Sequence, residues 1–265
     1  MSVLALQDVG RAFGGLRAVD GVTLSVPAGR VTGLIGPNGA GKTTMINLIT
    51  GVLALTQGRI MLDGKEISRL EAPAIARRGV ARTFQTVRLL PEASVLDNVL
   101  IGFHLAERTG VLANLFNLPS ASAERRGFVD RTRHLLERFN MSEYAATPAG
   151  TLSYGHQRRV EMMRACAADP KVLLLDEPVA GMNDVEAAEL AHIFAALADD
   201  GLALLLIEHN VRFVMSLCQW LYVLDSGRLI AEGTPGEVRS DTRVIAAYLG
   251  AEAASSEGLR DLAPC

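Results

Sequence analysis

No run of this chain approaches the ~20 consecutive apolar residues that a membrane-spanning helix needs. The longest, around Leu202 to Ile207, has the length of a buried strand. The chain is therefore expected to be soluble by itself, and work at a membrane would require another subunit to supply the crossing. Met1-Ser2-Val3-Leu4-Ala5 contains no basic stretch followed by an apolar core, so no secretory signal is visible. Only three cysteines occur, Cys166, Cys218 and Cys265, far apart and odd in number. They form neither a metal knuckle nor a disulfide framework and fit a reducing cytoplasm. Basic excess is missing too: 26 Lys and Arg stand against 29 Asp and Glu, a net charge of −3, which argues against nucleic acid as the main partner. Aromatics are few, and no heptad repeat is sustained, which excludes a coiled-coil arm. What remains is 265 residues, half of them apolar, enough for one large domain or two modest ones with ample core.

The chain is organised around Gly36-Pro37-Asn38-Gly39-Ala40-Gly41-Lys42-Thr43-Thr44. A glycine, four residues and then Gly-Lys-Thr let the backbone curl so that successive N–H groups face an anion, with no Cβ in the way. Lys42 adds a point charge, Thr43 offers a hydroxyl to Mg²⁺, and the helix that the loop opens adds unpaired N–H groups and its dipole. The context fits. Val31 to Ile35 reads as a buried strand before the loop, and Met45, Leu48 and Ile49 recur at helical spacing until Gly51 after it.

Upstream, Val22, Leu24 and Val26 alternate with Thr23 and Ser25, the pattern of an antiparallel β layer. Phe13, before Gly14-Gly15, is either a base-stacking aromatic or a core phenylalanine. Downstream, Ile60 to Leu62 ends in an Asp63-Gly64 turn, a helix reaches Arg78-Gly79, and Val80 to Phe84 reads as a strand ending at Gln85. From Thr86 to Gly150 helical patterns replace strands. Ser94 with Asp97 is expected to cap a helix through Leu100, and Phe128, Thr132, Leu135, Leu136 and Phe139 share one face of a helix bracketed by Glu124 and Asn140. Val111 to Ser122 reads as a loop or short helix. Leu152-Ser153-Tyr154-Gly155-His156-Gln157 opens a helix that carries Val160, Met163 and Ala167 to Pro170. Val172 to Leu175, apolar without alternation, then delivers Asp176 and Glu177 to the C-terminal end of a strand covered on both faces, where ligands sit in open α/β sheets. A helix from Asp184 to Asp200 and a strand from Leu202 to Ile207 bring Glu208 and His209 to the same edge. A hairpin around Asp225-Ser226-Gly227 follows, and Thr234-Pro235-Gly236-Glu237 starts a capped helix expected to pack through Val244, Ile245, Tyr248 and Leu249.

The order and spacing of Gly36 to Thr44, Gln85, Leu152 to Gln157, Val172 to Glu177 and His209 resemble the nucleotide-binding domain of ABC transporters along nearly the whole chain. That resemblance implies an α/β fold: a phosphate-loop NTPase core of mostly parallel sheet with helices, an N-terminal antiparallel β layer and an inserted helical subdomain. It implies one domain over 1–250, with its core in 1–85 and 160–250, the helical subdomain in 86–159, and a flexible tail over 251–265. By the same resemblance, Phe13 stacks on adenine, and Gly36, Pro37, Asn38, Gly39, Ala40, Gly41, Lys42, Thr43 and Thr44 hold the phosphates. Thr43, Gln85 and Asp176 hold Mg²⁺. Glu177 is the general base for the attacking water, with His209 and Gln85 beside it. Ser153 and Gly155 bind the nucleotide of a second ATPase subunit, related or identical, in a head-to-tail dimer.

Two departures from the commoner pattern stand out. The signature has Tyr154 and His156 where Gly and Gln are more usual, and Asn183 follows the glutamate where Asp is typical. Ser153 and Gly155 remain, as do Lys42, Asp176 and Glu177, so an ATPase is still implied. Together with Phe13-Gly14-Gly15-Leu16, Pro178 to Asn183, Ile207 to Asn210 and Val244 to Gly250, the departures look like the ATPase subunits of bacterial branched-chain amino acid importers. This implies two membrane permeases above the chain, a periplasmic substrate-binding protein feeding them, and a place on the cytoplasmic face of the inner membrane. Gln85 and Val87 to Leu96 are the expected permease-docking segment. An ATPase of lipopolysaccharide export is the nearer alternative, against which Tyr154 counts. A soluble ABC ATPase acting on nucleic acid or ribosomes is the farther one.

Overall fold

The computed structural model describes residues 2–83, 87–105 and 119–252. Gln85, the stretch 111–118 and the tail from 253 with Cys265 lie outside the described residues. Two compact units result: the first comprises 1–80, 171–177 and 194–265, the second 81–170 and 178–193.

In the first unit, β1 (Ser2–Phe13) and β2 (Leu16–Pro27) form an antiparallel hairpin across Gly14-Gly15. The alternation of Val22, Leu24 and Val26 is realised as a buried face. After β3 (Val31–Ile35) and α1 (Lys42–Ile49), β4 (Gln57–Leu62) pairs with the other side of β1. β5 (Lys65–Glu66) closes a four-stranded sheet in the order β2-β1-β4-β5. The Asp63-Gly64 turn is a hairpin turn with both residues at positive φ, and the two-residue β5 beyond it, two exposed charged residues, carries no apolar pattern to reveal it.

Beyond α2 (Ala72–Arg77) lies a six-stranded sheet built from β3, β6 (Val80–Arg82), β7 (Val172–Asp176), β8 (Ala203–Ile207), β9 (Trp220–Asp225) and β10 (Arg228–Gly233). Its order is β10-β9-β3-β8-β7-β6. Strands β9, β3, β8 and β7 run parallel, and every residue of β3, β7 and β8 is buried. Strands covered on both faces cannot alternate, which is why Val172 to Leu175 and Ala203 to Ile207 read as unbroken apolar runs. Parallel direction puts the last residues of β3, β7 and β8 on one edge: Leu34 and Asp176 both lie in register with Ile207.

The second unit holds α3 (Val95–Leu100), α4 (Pro119–Arg138) and α5 (Tyr154–Ala167). Ser94 caps α3 by accepting from the Asp97 N–H at 3.1 Å. Asn98, fully buried, pins the preceding loop: its amide donates to Leu90 O, Ala93 O and Ser94 O, and its Oδ1 accepts from Leu90 N at 2.8 Å. Thr132 and Leu136 are buried on α4, Phe139 is buried just past its last residue, and Phe103 stacks on Phe128 at 4.9 Å. Among the described residues the helix reaches back to Pro119, past Glu124, because Ser120 to Ala123 contain no breaker. Asn140, at φ 54°, ends the run in the left-handed conformation that Asn tolerates. On α5 the guanidinium of Arg158 meets Glu161 at 3.2 Å, both side chains out of solvent.

The chain passes through α6 (Asp184–Asp199) and α7 (Val211–Leu217) to two C-terminal helices, α8 (Pro235–Ser240) and α9 (Thr242–Glu252). Thr234 and Glu237 form the reciprocal capping box of α8. Asp241, with extended backbone, divides what the sequence reads as one helix. Val244 is buried and Ile245 half-buried as expected, whereas Leu249 is 40% exposed. Burial pushes the Cys166 and Cys218 thiols up to about 12, so neither is a ready nucleophile.

Candidate active site

The phosphate-binding loop leaves the end of β3 and enters α1 at Lys42, with Gly41 as the helix cap. Its glycines answer to space as well as to φ. Gly36 has φ 151°, and a Cβ there would lie 2.1 Å from Leu224 O; Gly41 has φ 103°, and a Cβ would lie 2.6 Å from Ala18 O. The loop thus fits between β2 and the β9–β10 hairpin, whose Gly227 N–H donates to Ala40 O at 3.0 Å. Asp20 ties these supports together by accepting from Arg17 and Arg228 at 2.7 Å, bonds that hold its carboxyl below the ordinary range. Asn38, Gly39 and Thr43 are exposed; Pro37 and Thr44 are half-buried and Ala40 is buried.

Lys42 is 9% exposed and folds back on its own loop, donating to Gly36 O at 2.6 Å and Pro37 O at 2.9 Å. Burial lowers its pKa, and the charges of Glu177 and Asp176 act in the opposite sense. The lysine therefore shares a field with both carboxylates at the end of β7. Asp176 is 3% exposed at the last position of that strand. Glu177 is half-buried, and its N–H donates to Ile207 O at 2.8 Å. Its φ is 49°; the other non-glycine residues with positive φ among those described are Asp, Asn or Ser. A glutamate held in this costly conformation is aimed by its neighbours. His209, exposed, places Nδ1 3.7 Å from a carboxylate oxygen of Glu177 and 3.7 Å from one of Glu208. Buried Glu208 turns back to accept from the N–H groups of His209 at 3.0 Å and Asn210 at 3.3 Å, fixing the turn that presents the histidine.

Phe13 is 43% exposed, with the Arg11 guanidinium 4.7 Å from its ring centroid, so it is not a core phenylalanine. Tyr248 is a neighbour that the sequence does not announce. Its hydroxyl is buried beside the Gly36 amide, and burial pushes the phenol up to about 12.

Ser153 and Gly155 belong to the second unit, whereas the residues above all belong to the first. Ser153 caps α5, its Oγ accepting from the His156 N–H at 3.3 Å. Asn183 serves where Asp is commoner because its Oδ1 accepts from the N–H groups of Val185 and Glu186 at 3.0 and 2.9 Å, capping α6. Gln85 lies outside the described residues.

A curled loop with a buried ammonium, opening a helix beside two strand-end carboxylates, defines a phosphate-loop nucleotide-binding protein. The oxygens present, the Thr43 hydroxyl and the Asp176 carboxylate, are hard donors of the kind Mg²⁺ takes alongside nucleotide phosphates. Among the described residues no group of three or more His, Cys, Asp or Glu could hold a metal.

The family model "ABC transporter" matches residues 19–180, and the model "Branched-chain amino acid ATP-binding cassette transporter" matches residues 228–254. The chain is 43% identical over 249 residues to the high-affinity branched-chain amino acid transport ATP-binding protein BraF of Pseudomonas aeruginosa, covering 94% of this chain and 98% of BraF. It is 41% identical, with the same coverage, to LivG of Escherichia coli K12, which bears the same description. Identity to the lipopolysaccharide export system ATP-binding protein LptB of that organism is 37%, again with 94% and 98% coverage. Among solved structures, the ADP conformation of an ABC-transporter ATP-binding cassette is 35% identical with a TM-score of 0.82, covering 94% of this chain and 99% of the other. The chain belongs to the ABC transporter family, and its fold is that of the ATP-binding cassette.

Proposed function

We propose that this chain hydrolyses ATP to power the import of branched-chain amino acids, or related small molecules, through separate membrane permeases. The observation that carries the hydrolytic half is the convergence of Lys42, Asp176, Glu177 and His209 on one sheet edge. The substrate reading rests on likeness to BraF and LivG, which exceeds the likeness to LptB and extends into the C-terminal segment.

In this reading the N–H groups of Gly36 to Thr44 and the Lys42 ammonium receive the nucleotide phosphates, and the exposed ring of Phe13 stacks on adenine. Thr43, Asp176 and Gln85 would hold Mg²⁺, which when bound would neutralise phosphate charge. Glu177 accepts a proton from the attacking water, and His209 orients and stabilises the γ-phosphate end of the site. Ser153 and Gly155 accept the phosphate of a nucleotide held by a second ATPase subunit, a copy or a relative, so turnover requires a head-to-tail pair. Two permeases sit above the pair at the cytoplasmic face of the inner membrane, fed by a periplasmic binding protein. Residues 87–96, where Leu90 is 54% exposed, meet a permease helix.

Among the described residues no helix is long and apolar enough to cross a membrane, so membrane attachment must run through such partners. Native protein is accordingly expected in the membrane fraction of disrupted cells, released when the permeases are extracted. Recovery wholly in the soluble fraction with bound nucleic acid would overturn the transporter reading and favour the nucleic-acid alternative.

A further inference from the structure

The start of α5 and the loop that follows Glu177 are fitted to each other inside the second unit. Gly155 is buried, and a Cβ on it would lie 2.6 Å from Oε1 of Glu186. The other oxygen of that carboxylate accepts from the Asn183 N–H at 3.1 Å, while Asn183 Oδ1 accepts from the Glu186 N–H at 2.9 Å. This reciprocal cap fixes the carboxylate in place. One residue earlier, the Tyr154 ring lies against Gly181, where a Cβ would come within 3.2 Å, and the Arg158 guanidinium is 5.7 Å from the ring centroid. Glycine at 155 thus has a second reason besides room for a ligand: it admits a negative charge to the N-terminal turn of α5. Among the described residues, neither the Tyr154 N–H nor the Gly155 N–H donates a hydrogen bond. Those are the donors that an incoming phosphate would take.

We propose that Glu186 is a positioning residue for ATP turnover: its capped carboxylate guards the first turn of α5, so that a nucleotide presented by the partner subunit must overcome its charge before Ser153 and Gly155 can close on it. The proposal rests on the reading that Ser153 and Gly155 act on the partner's nucleotide. The charge also favours the empty helix, because an anion at a helix N-terminus is stabilising, so the same residue steadies the open state. A ligand that displaces this charge loses part of its own binding energy.

The test compares steady-state ATP turnover of the full chain and its Glu186→Gln, Glu186→Ala and Ser153→Glu variants over a range of salt concentrations. The Gln variant keeps an oxygen for the Asn183 N–H and loses the charge. Its KM for ATP is expected to fall about three- to tenfold at low salt, with a weaker salt dependence and only a small drop in melting temperature from the lost charge–dipole attraction. The Ala variant loses the cap as well and is expected to melt earlier while showing the same fall in KM. If Glu186→Gln leaves KM and its salt dependence at wild-type values, Glu186 is a helix cap only and the proposal is wrong. Ser153→Glu tests the reading beneath it: full turnover in that variant would remove Ser153 from the nucleotide site and take the proposal with it.

Discussion

Replacing Glu177 with Gln is expected to lower kcat for ATP by about 10²- to 10⁴-fold, the range for loss of a general base, while ATP affinity is kept or raised. Gln has nearly the same shape, so the backbone at φ 49° and the N–H bond to Ile207 O have no reason to change. What is lost is the capacity to accept a proton. The Lys42 ammonium no longer feels a second carboxylate, which removes one of the two charges that oppose the effect of its burial. With chemistry blocked after binding, the ATP-bound pair accumulates, and sedimentation in Mg-ATP should show a dimer that ADP does not support. Turnover within about tenfold of wild type would move the base elsewhere. Glu208, the other carboxylate at 3.7 Å from His209, is committed to two backbone N–H groups and is a poor substitute.

Lys42→Ala should weaken nucleotide binding by about 10²-fold or more, since charge-assisted bonds to phosphate are worth about 1.5–3 kcal/mol each and more than one is lost. The fold should survive. The ammonium is satisfied by Gly36 O and Pro37 O, carbonyls that water can serve once the side chain is truncated. Lys42→Arg is not expected to rescue, because a bulkier planar fork replaces a compact ammonium that sits buried against Gly36 O and Pro37 O. Titration with a fluorescent ATP analogue reads the effect directly. Affinity within about threefold of wild type would mean that the backbone donors alone carry phosphate binding.

The parts legible in the sequence are those whose physics is local. The phosphate loop announces itself because the spacing of its glycines and lysine is its mechanism, and the strands β3, β7 and β8 because burial on both faces leaves unbroken apolar runs. The caps at Ser94, Ser153 and Thr234 are also written within four residues. Features made by distant partners are not legible. Asn98 looks like an ordinary helical polar residue, and only the fold brings the carbonyls of residues 90–94 around its amide. Glu186 reads as a surface charge in the first turn of α6, yet it lies against a glycine thirty-one positions earlier. Tyr248 is recognisable as an apolar position of α9, but nothing nearby in sequence places its hydroxyl at Gly36. The outward turn of Leu249 follows from the separate α9 that begins after Asp241, which shifts the buried face away from that of one continuous helix.

In the proposed function, ATP hydrolysis at Glu177 drives uptake of branched-chain amino acids. It is tested most directly by the initial rate of labelled leucine, isoleucine and valine uptake in cells that lack this chain, complemented by the wild type or by Glu177→Gln at equal abundance in the membrane. The wild type is expected to restore uptake, and Glu177→Gln to leave it at the background of the deleted strain. Uptake that never depended on the chain, or that Glu177→Gln restores in full, would contradict the proposed function.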